Sequence, residues 1–222
     1  MSEQTGGASR LCNRLLIGVT GSVAASSIPD FVVLLRRRSL VGRVDVMMTL
    51  AACRFIPPYR MRLSTGTWVF TDGFQTTDEV RVAHVQLTRE ADLFVIMPAT
   101  ANVIGKLAGG ICDDLITTAA MASTCPLVVV PSMSSAMWEK PIVQRNIAVL
   151  RAAGIFIVQP AIGYEITDLQ PSSGAMPSFE ALIRELLAVT GHNRASPSSP
   201  TETSQPLVGA QEHAIHRRVG SE

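Results

Sequence analysis

The sequence predicts an α/β fold of one domain, a parallel sheet with helices on both faces. Three observations predict it. Short, almost wholly apolar runs recur along the chain, helix-patterned segments separate them, and most runs end on Thr, Gly or Pro. Strands covered on both faces lose the in–out alternation of half-exposed ones and read as continuous apolar runs. At 222 residues the chain is long enough to bury such a sheet and too short for a second sizeable domain.

Taken in order, residues 15–19 form a first strand that ends in Thr20-Gly21-Ser22, with a helical pattern over 24–38. A second strand, 44–48, carries Thr49 at its end; a helical stretch over 51–56 follows, and Pro57-Pro58 stops it. Residues 60–79 read as irregular, 82–90 as a short helix, and 93–97 as a strand closed by Pro98. Two helices, 102–108 and 114–122, flank Gly109-Gly110; the strand 127–130 is closed by Pro131. A helix over 141–153 is capped by Gly154 and leads to a last strand, 155–158. Residues 160–177 lack periodicity and read as a mobile flap, and 179–189 as a closing helix. Domain organisation is therefore a flexible N-terminus (1–13), one domain (14–190), and a disordered tail (191–222) rich in Ser, Pro, Thr and Gln.

Composition narrows the function classes. An apolar share of 47% against 17% charged residues, with a mean hydropathy of +0.28, implies a surface partly covered by other subunits, so a homo-oligomer is expected. A net charge of +1 gives no electrostatic reason to expect nucleic acid, and Arg36-Arg37-Arg38 reads as the solvated C-terminal end of a helix. Charges, Pro or Gly interrupt every apolar stretch before membrane-span length, and the polar N-terminus lacks the apolar core of a signal peptide. The expectation is a cytoplasmic protein without a membrane partner. The four cysteines show neither Cys-x-x-Cys spacing nor His at zinc-ligand spacing, so they read as small apolar fillers rather than metal ligands or disulfides.

Ligands of parallel sheets bind beyond the C-terminal ends of strands, near a topological switch point. That rule singles out Gly21-Ser22, Thr49, the run from Pro98 and the run from Pro131. Gly21 lets backbone approach a ligand, and amides at a helix start favour phosphate. A Gly-Ser turn by itself is an ordinary turn, and without the further glycines of a dinucleotide fingerprint it points to a mononucleotide. Pro98-Ala99-Thr100-Ala101-Asn102 places small and hydroxyl residues after one strand, and Pro131-Ser132-Met133-Ser134-Ser135-Ala136-Met137-Trp138 follows another. Trp68 and Trp138 read as packing residues.

These two runs resemble the Pro-Ala-Ser-Ala-Asn-Thr and Pro-x-Met-Asn-x-x-Met-Trp signatures of the homo-oligomeric flavin-containing cysteine decarboxylases. Gly21-Ser22-Val23-Ala24, Thr49 with Phe55, His84, and residues 104–118 supply further pieces in order, so the resemblance runs over 15–189. It implies a Rossmann-like (flavodoxin-like) subunit, assembled as a homo-trimer or homo-dodecamer, with FMN near a subunit boundary. Matched position by position, Gly21, Ser22, Val23, Thr49, Phe55, Thr100, Ala101, Asn102, Val103 and Ser132 would surround FMN. His84 would be the active-site histidine, although a lone His on a helix face is ordinarily structural. Met133, Ser134, Met137, Glu165 and Met176 would meet the substrate.

Thr100 replaces the signature's Ser and keeps its hydroxyl. Ser134 stands at the Asn position implicated in holding the substrate carboxylate, and offers one donor instead of two. Ser134 with Ser135 takes over that task, the carboxylate is held elsewhere, or this copy has impaired activity. In the reaction the resemblance implies, hydride transfer to FMN turns the cysteine CH2–SH into a thioaldehyde. Carbon dioxide then leaves, with its electrons received by the C=S bond as an enethiolate. Family members of coenzyme A biosynthesis use a flap cysteine to reduce that product; here no Cys follows Cys125. The peptide-modifying branch, which converts the C-terminal Cys of a precursor peptide to an aminoenethiol in lanthipeptide-type antibiotic biosynthesis, is therefore the expectation. The alternatives are a phosphopantothenoylcysteine decarboxylase and a non-catalytic FMN-binding regulatory subunit. A flavin prenyltransferase, which shares the architecture, should show basic residues for a prenyl phosphate, and no clear set appears.

Overall fold

Apolar runs paired side by side leave two faces for amphipathic helices to cover, and three layers result in the computed structural model, which describes residues 10–73, 75–78, 80–164 and 170–195. The strands β1 (Cys12–Val19), β2 (Val41–Met48), β3 (Val69–Phe70), β4 (Leu93–Ala99), β5 (Leu127–Pro131) and β6 (Phe156–Ile157) form one parallel sheet in the order β3-β2-β1-β4-β5-β6. Neighbouring residues of β1 point to opposite faces. Leu15, Ile17 and Val19 join α1 (Ile28–Arg37), α2 (Pro58–Thr65) and α8 (Phe179–Ala195) through Val32, Met61 and Leu186. Leu16 joins the other layer, α3 (Ala83–Glu90), α4 (Ala101–Ala108), α5 (Leu115–Ala122) and α7 (Pro141–Ala152), through Leu87, Ile104, Ile116 and Ile147. No described helix is long and apolar enough to cross a membrane.

From β1 the chain builds outward to β2 and β3, then returns to β4 on the other side of β1 and builds toward β6. The reversal makes the β1–β4 junction the switch point. Thr20, only 2% exposed, holds that junction: its hydroxyl donates to Pro98 O at 2.6 Å and accepts from Thr100 N–H at 3.1 Å. One junction further along, Ser132 N–H donates to Ala99 O at 2.9 Å.

Several expected elements differ. β1 begins at Cys12, so Cys12 and Asn13 belong to the sheet, and Leu11 before them is buried, its N–H donating to Leu40 O at 2.8 Å. The pattern over 24–38 divides into a 3-10 turn, Val23–Ser27, and α1. The helix expected over 51–56 is a 3-10 turn, Ala52–Arg54. Pro58, expected to stop a helix, begins α2, because the first helical residue needs no N–H and proline's fixed φ suits it. The stretch 60–79 contains the rest of α2 and the short edge strand β3. α8 continues to Ala195, beyond the expected boundary at 191, while 1–9 and 196–222 lie outside the described residues. Cys112 is exposed rather than a core filler. Arg36 and Arg38, at the end of α1, are engaged with Ser64 O and Glu180.

The expected flap is an antiparallel ribbon of β7 (Ala161–Tyr164) and β8 (Pro171–Ala175). It is fastened to the segment after β5: Met133 N–H donates to Gly174 O at 3.0 Å and Ser135 N–H to Ser172 Oγ at 3.0 Å. A β-carbon on Gly174 would collide with the Met133 carbonyl oxygen, so this contact requires glycine.

Two outcomes follow. Thr20→Val removes the donor to Pro98 O inside the core, and denaturant titration should show a loss of about 1–3 kcal/mol. Gly174→Ala should undock the ribbon: limited proteolysis between β7 and β8 should accelerate several-fold, with little change in the unfolding midpoint of the sheet.

Candidate active site

Over the switch point lies a cleft of about 880 Å³ at the C-terminal edge of the sheet. One wall comes from the turns after β1, β4 and β5, including Gly21, Ser22, Thr100, Ala101 and Ser132. A second comes from α1, through Ser27, Asp30, Phe31 and Leu34. Met133, Ser134 and Met137 line it beside α6 (Ser135–Trp138), and the ribbon side closes with Tyr164 and Met176.

The hydroxyl-rich wall is packed tightly. Ser22 Oγ and Ser132 Oγ are 2.9 Å apart, bridging the turns after β1 and β5. A β-carbon on Gly21 would stand 2.5 Å from that of Ala51, so glycine lets the β1 turn seat against the β2 turn. Thr100 caps α4 by accepting from Val103 N–H at 3.4 Å, and the amides of Ala101 and Asn102, which open that helix, have no acceptor within it. Apolar side chains share the lining, among them Phe55, Met133, Met137 and Met176.

Seven of the ten residues expected around FMN line this cleft: Gly21, Ser22, Val23, Phe55, Thr100, Ala101 and Ser132. Three do not. Thr49 Oγ1 accepts from Ala52 N–H at 3.1 Å and so shapes the turn that carries Phe55. Asn102 is exposed on the first turn of α4, and Val103 is buried beneath it. Of the expected substrate residues, Met133, Ser134, Met137 and Met176 line the cleft, and Glu165 lies outside the described residues. Ser134 starts α6 without a side-chain capping bond, so its hydroxyl is not committed to that helix.

His84 is the expected site residue that the fold sets apart. It sits at the start of α3, in the layer opposite α1, and does not line the cleft of its own chain. Residues missed in the sequence are Thr20, whose buried hydroxyl builds the switch point, and Asp30, the one charged side chain among the described lining residues. A polar residue directly after an apolar strand was an available signal for Thr20. Nothing in the sequence set Asp30 apart from any acid in a first helical turn. Burial pushes the thiol of Cys53, beside the Phe55 turn, above its ordinary value, and does the same to Cys125, so both favour the neutral form.

The cleft suits a flavin mononucleotide. Hydroxyls and helix-start amides match a phosphate, apolar side chains match a fused ring, and the volume lies in the usual range for small-molecule sites.

Comparison with known proteins agrees. The Flavoprotein family profile matches residues 7–191. The coenzyme A biosynthesis bifunctional protein CoaBC of Bacillus subtilis (strain 168) is 42% identical over 123 residues, covering 55% of this chain and 30% of that protein. The chain spans only 30% to 40% of the length of such bifunctional relatives. The probable phosphopantothenoylcysteine decarboxylase of Streptococcus mutans serotype c (strain ATCC 700610 / UA159) is 32% identical over 179 residues, covering 79% of this chain and 98% of the relative. Among solved structures, the FMN-dependent cysteine decarboxylase SpaF aligns with a TM-score of 0.69 at 37% identity, covering 81% of this chain and 97% of its own. The peptidyl-cysteine decarboxylase EpiD aligns with a TM-score of 0.68 at 26% identity, covering 79% and 98%. A sheet whose switch point carries a mononucleotide cleft, matched along nearly all of its length, places this chain in the Flavoprotein family with FMN as its cofactor and decarboxylases as its relatives.

Proposed function

We propose that the chain oxidatively decarboxylates the C-terminal cysteine of a precursor peptide to an aminoenethiol, as a step in lanthipeptide-type antibiotic biosynthesis. The observation that carries this reading is the chemistry of the ribbon: the strand fastened to Met133 and Ser135 presents Ser172 and Ser173, and no cysteine follows Cys125 in the chain. With no thiol there to reduce it, the product stays unsaturated. Likeness to SpaF and EpiD supports the same branch.

Bound FMN supplies a hydride acceptor. The chain's own groups bind, orient and exclude water. Ser22, Thr100, Ser132 and the first amides of α4 hold the phosphate, with Asn102 and Val103 as parts of that helix start and Thr49 setting the turn of Phe55. The Ser134 hydroxyl holds the substrate carboxylate, and Met133, Met137 and Met176 keep the reacting carbon dry, with Glu165 contacting the peptide. His84 accepts the thiol proton on a ring nitrogen. Because His84 lies in the layer opposite α1, it serves the cleft of a neighbouring copy, and the working form is a homo-trimer or a dodecamer of trimers in the cytoplasm.

The Streptococcus mutans relative, matched over 98% of its length, favours a second reading, decarboxylation of phosphopantothenoylcysteine. FMN-loaded protein incubated with Cys-ended peptides should yield a product lighter by carbon dioxide and two hydrogens. Untouched peptides, with phosphopantothenoylcysteine converted catalytically to a saturated thiol, would reverse the assignment. Bound FMN with neither substrate converted would make this a non-catalytic FMN-binding subunit. His84→Ala should lower the decarboxylation rate by about 10²–10⁴-fold while FMN stays bound; an undiminished rate rejects its role.

A further inference from the structure

We infer that the α1 wall of the cleft reads substrate charge, favouring a Cys-ended peptide with Lys or Arg just before the cysteine and disfavouring an acidic one. This rests on the peptide reading above. Asp30 is the one charged side chain among the described residues lining the cleft. It stands in the first turn of α1, beside an apolar floor of Phe31 and Leu34. Phe179 extends that floor, its ring meeting Phe31 edge-on at 4.9 Å. A carboxylate beside an apolar floor matches a side chain with an aliphatic stem and a cationic head.

Two arginines in contact with residues of this wall are already matched with acids. Arg60 Nη2 lies 2.9 Å from Asp30 Oδ1, and its Nη1 donates to Ser64. Arg38 stacks over the Phe179 ring at 4.9 Å and binds Glu180 at 2.7 Å. Neither leaves an unmatched positive charge while these pairs hold, and Arg60, itself 47% exposed, passes to solvent where its pair opens. The Asp30 side chain is 77% exposed, so its pair with Arg60 is weakly held and can exchange for a substrate cation. FMN sharpens the preference. Its phosphate adds about −1.5 to −2 charges, and the hydroxyls and amides that would hold it carry no formal charge in return. This chain's side of the filled cleft is therefore negative, which attracts a cationic peptide and repels a second phosphate.

The test uses the FMN-loaded protein and three Cys-ended peptides that differ only in Lys, Gln or Glu before the cysteine. Decarboxylation kcat/KM should fall in that order by about two- to fivefold per step, and the spread should shrink in high salt. Asp30→Asn should compress the Lys-to-Glu ratio and Asp30→Lys should invert it. Equal rates for all three peptides, or a ratio unchanged in both variants, would overturn the inference. Fluorescence anisotropy of the same labelled peptides gives the charge order independently of turnover. Ordered binding without decarboxylation would sink the peptide-decarboxylase reading and leave the charge preference standing, whereas binding without order would sink the preference.

Discussion

The buried hydroxyl of Thr20 is the constraint on which the site depends. A parallel sheet whose crossovers reverse direction leaves a crevice beyond the strand ends at the reversal, and what lines that crevice is set by how the two ends are joined. Thr20 joins them by donating to Pro98 O and accepting from Thr100 N–H. That places Gly21-Ser22 next to the start of α4. Ser132, hydrogen-bonded both to Ala99 O and to the Ser22 hydroxyl, extends the same clasp to β5. Three turns that are distant in sequence thus present hydroxyls and helix-start amides to one point. A phosphate needs convergent donors fixed before it arrives, because donors that must first be ordered give back part of their binding energy as entropy.

The ribbon extends this logic to the substrate side. It forms no part of the main sheet, and its short strands carry mostly Gly, Ser, Ala and Pro, with Ile162 and Tyr164 the two residues that favour a strand. Intrinsic preference therefore contributes little to it. Its position comes from close backbone contact of Gly174 with Met133 and from the Ser172 hydroxyl. The same segment that would hold the substrate also anchors its cover. Anything that shifts Met133–Ser135 moves both, which ties closure of the cleft to the position of Ser134.

Much of this was legible in the sequence, for identifiable reasons. The runs that became β1, β2, β4 and β5 were readable because burial on both faces demands unbroken apolar residues, and the turns after them because small and hydroxyl residues stand where backbone must approach a ligand. Four features were hidden. Pro57-Pro58 is compatible with stopping a helix or starting one, and only packing of Met61 into the core selects the start of α2. β3 has two residues and exists because β2 offers it an edge. The ribbon lacks alternation because it is held by docking. The layer in which His84 lies is a property of the crossover and not of its local sequence, so a residue recognised by its neighbours in the chain does not line the cleft of its own chain.

The scarcity of positive charge in the cleft bears on how a decarboxylase of this kind can work. An arginine at the carboxylate seat would bind the substrate tightly through a bidentate pair. Loss of carbon dioxide carries the negative charge away from those oxygens, so that pair would stabilise the ground state more than the transition state and slow the reaction. On the proposed function a single neutral donor at Ser134, beside Met133 and Met137, would orient the carboxylate without stabilising its charge as strongly. Affinity has then to come from parts of the substrate that do not react. The α1 wall, where an apolar floor meets the carboxylate of Asp30, can supply it from a residue upstream of the cysteine. Weak neutral holding at the reacting end and electrostatic holding at the remote end are two consequences of the same distribution of charge.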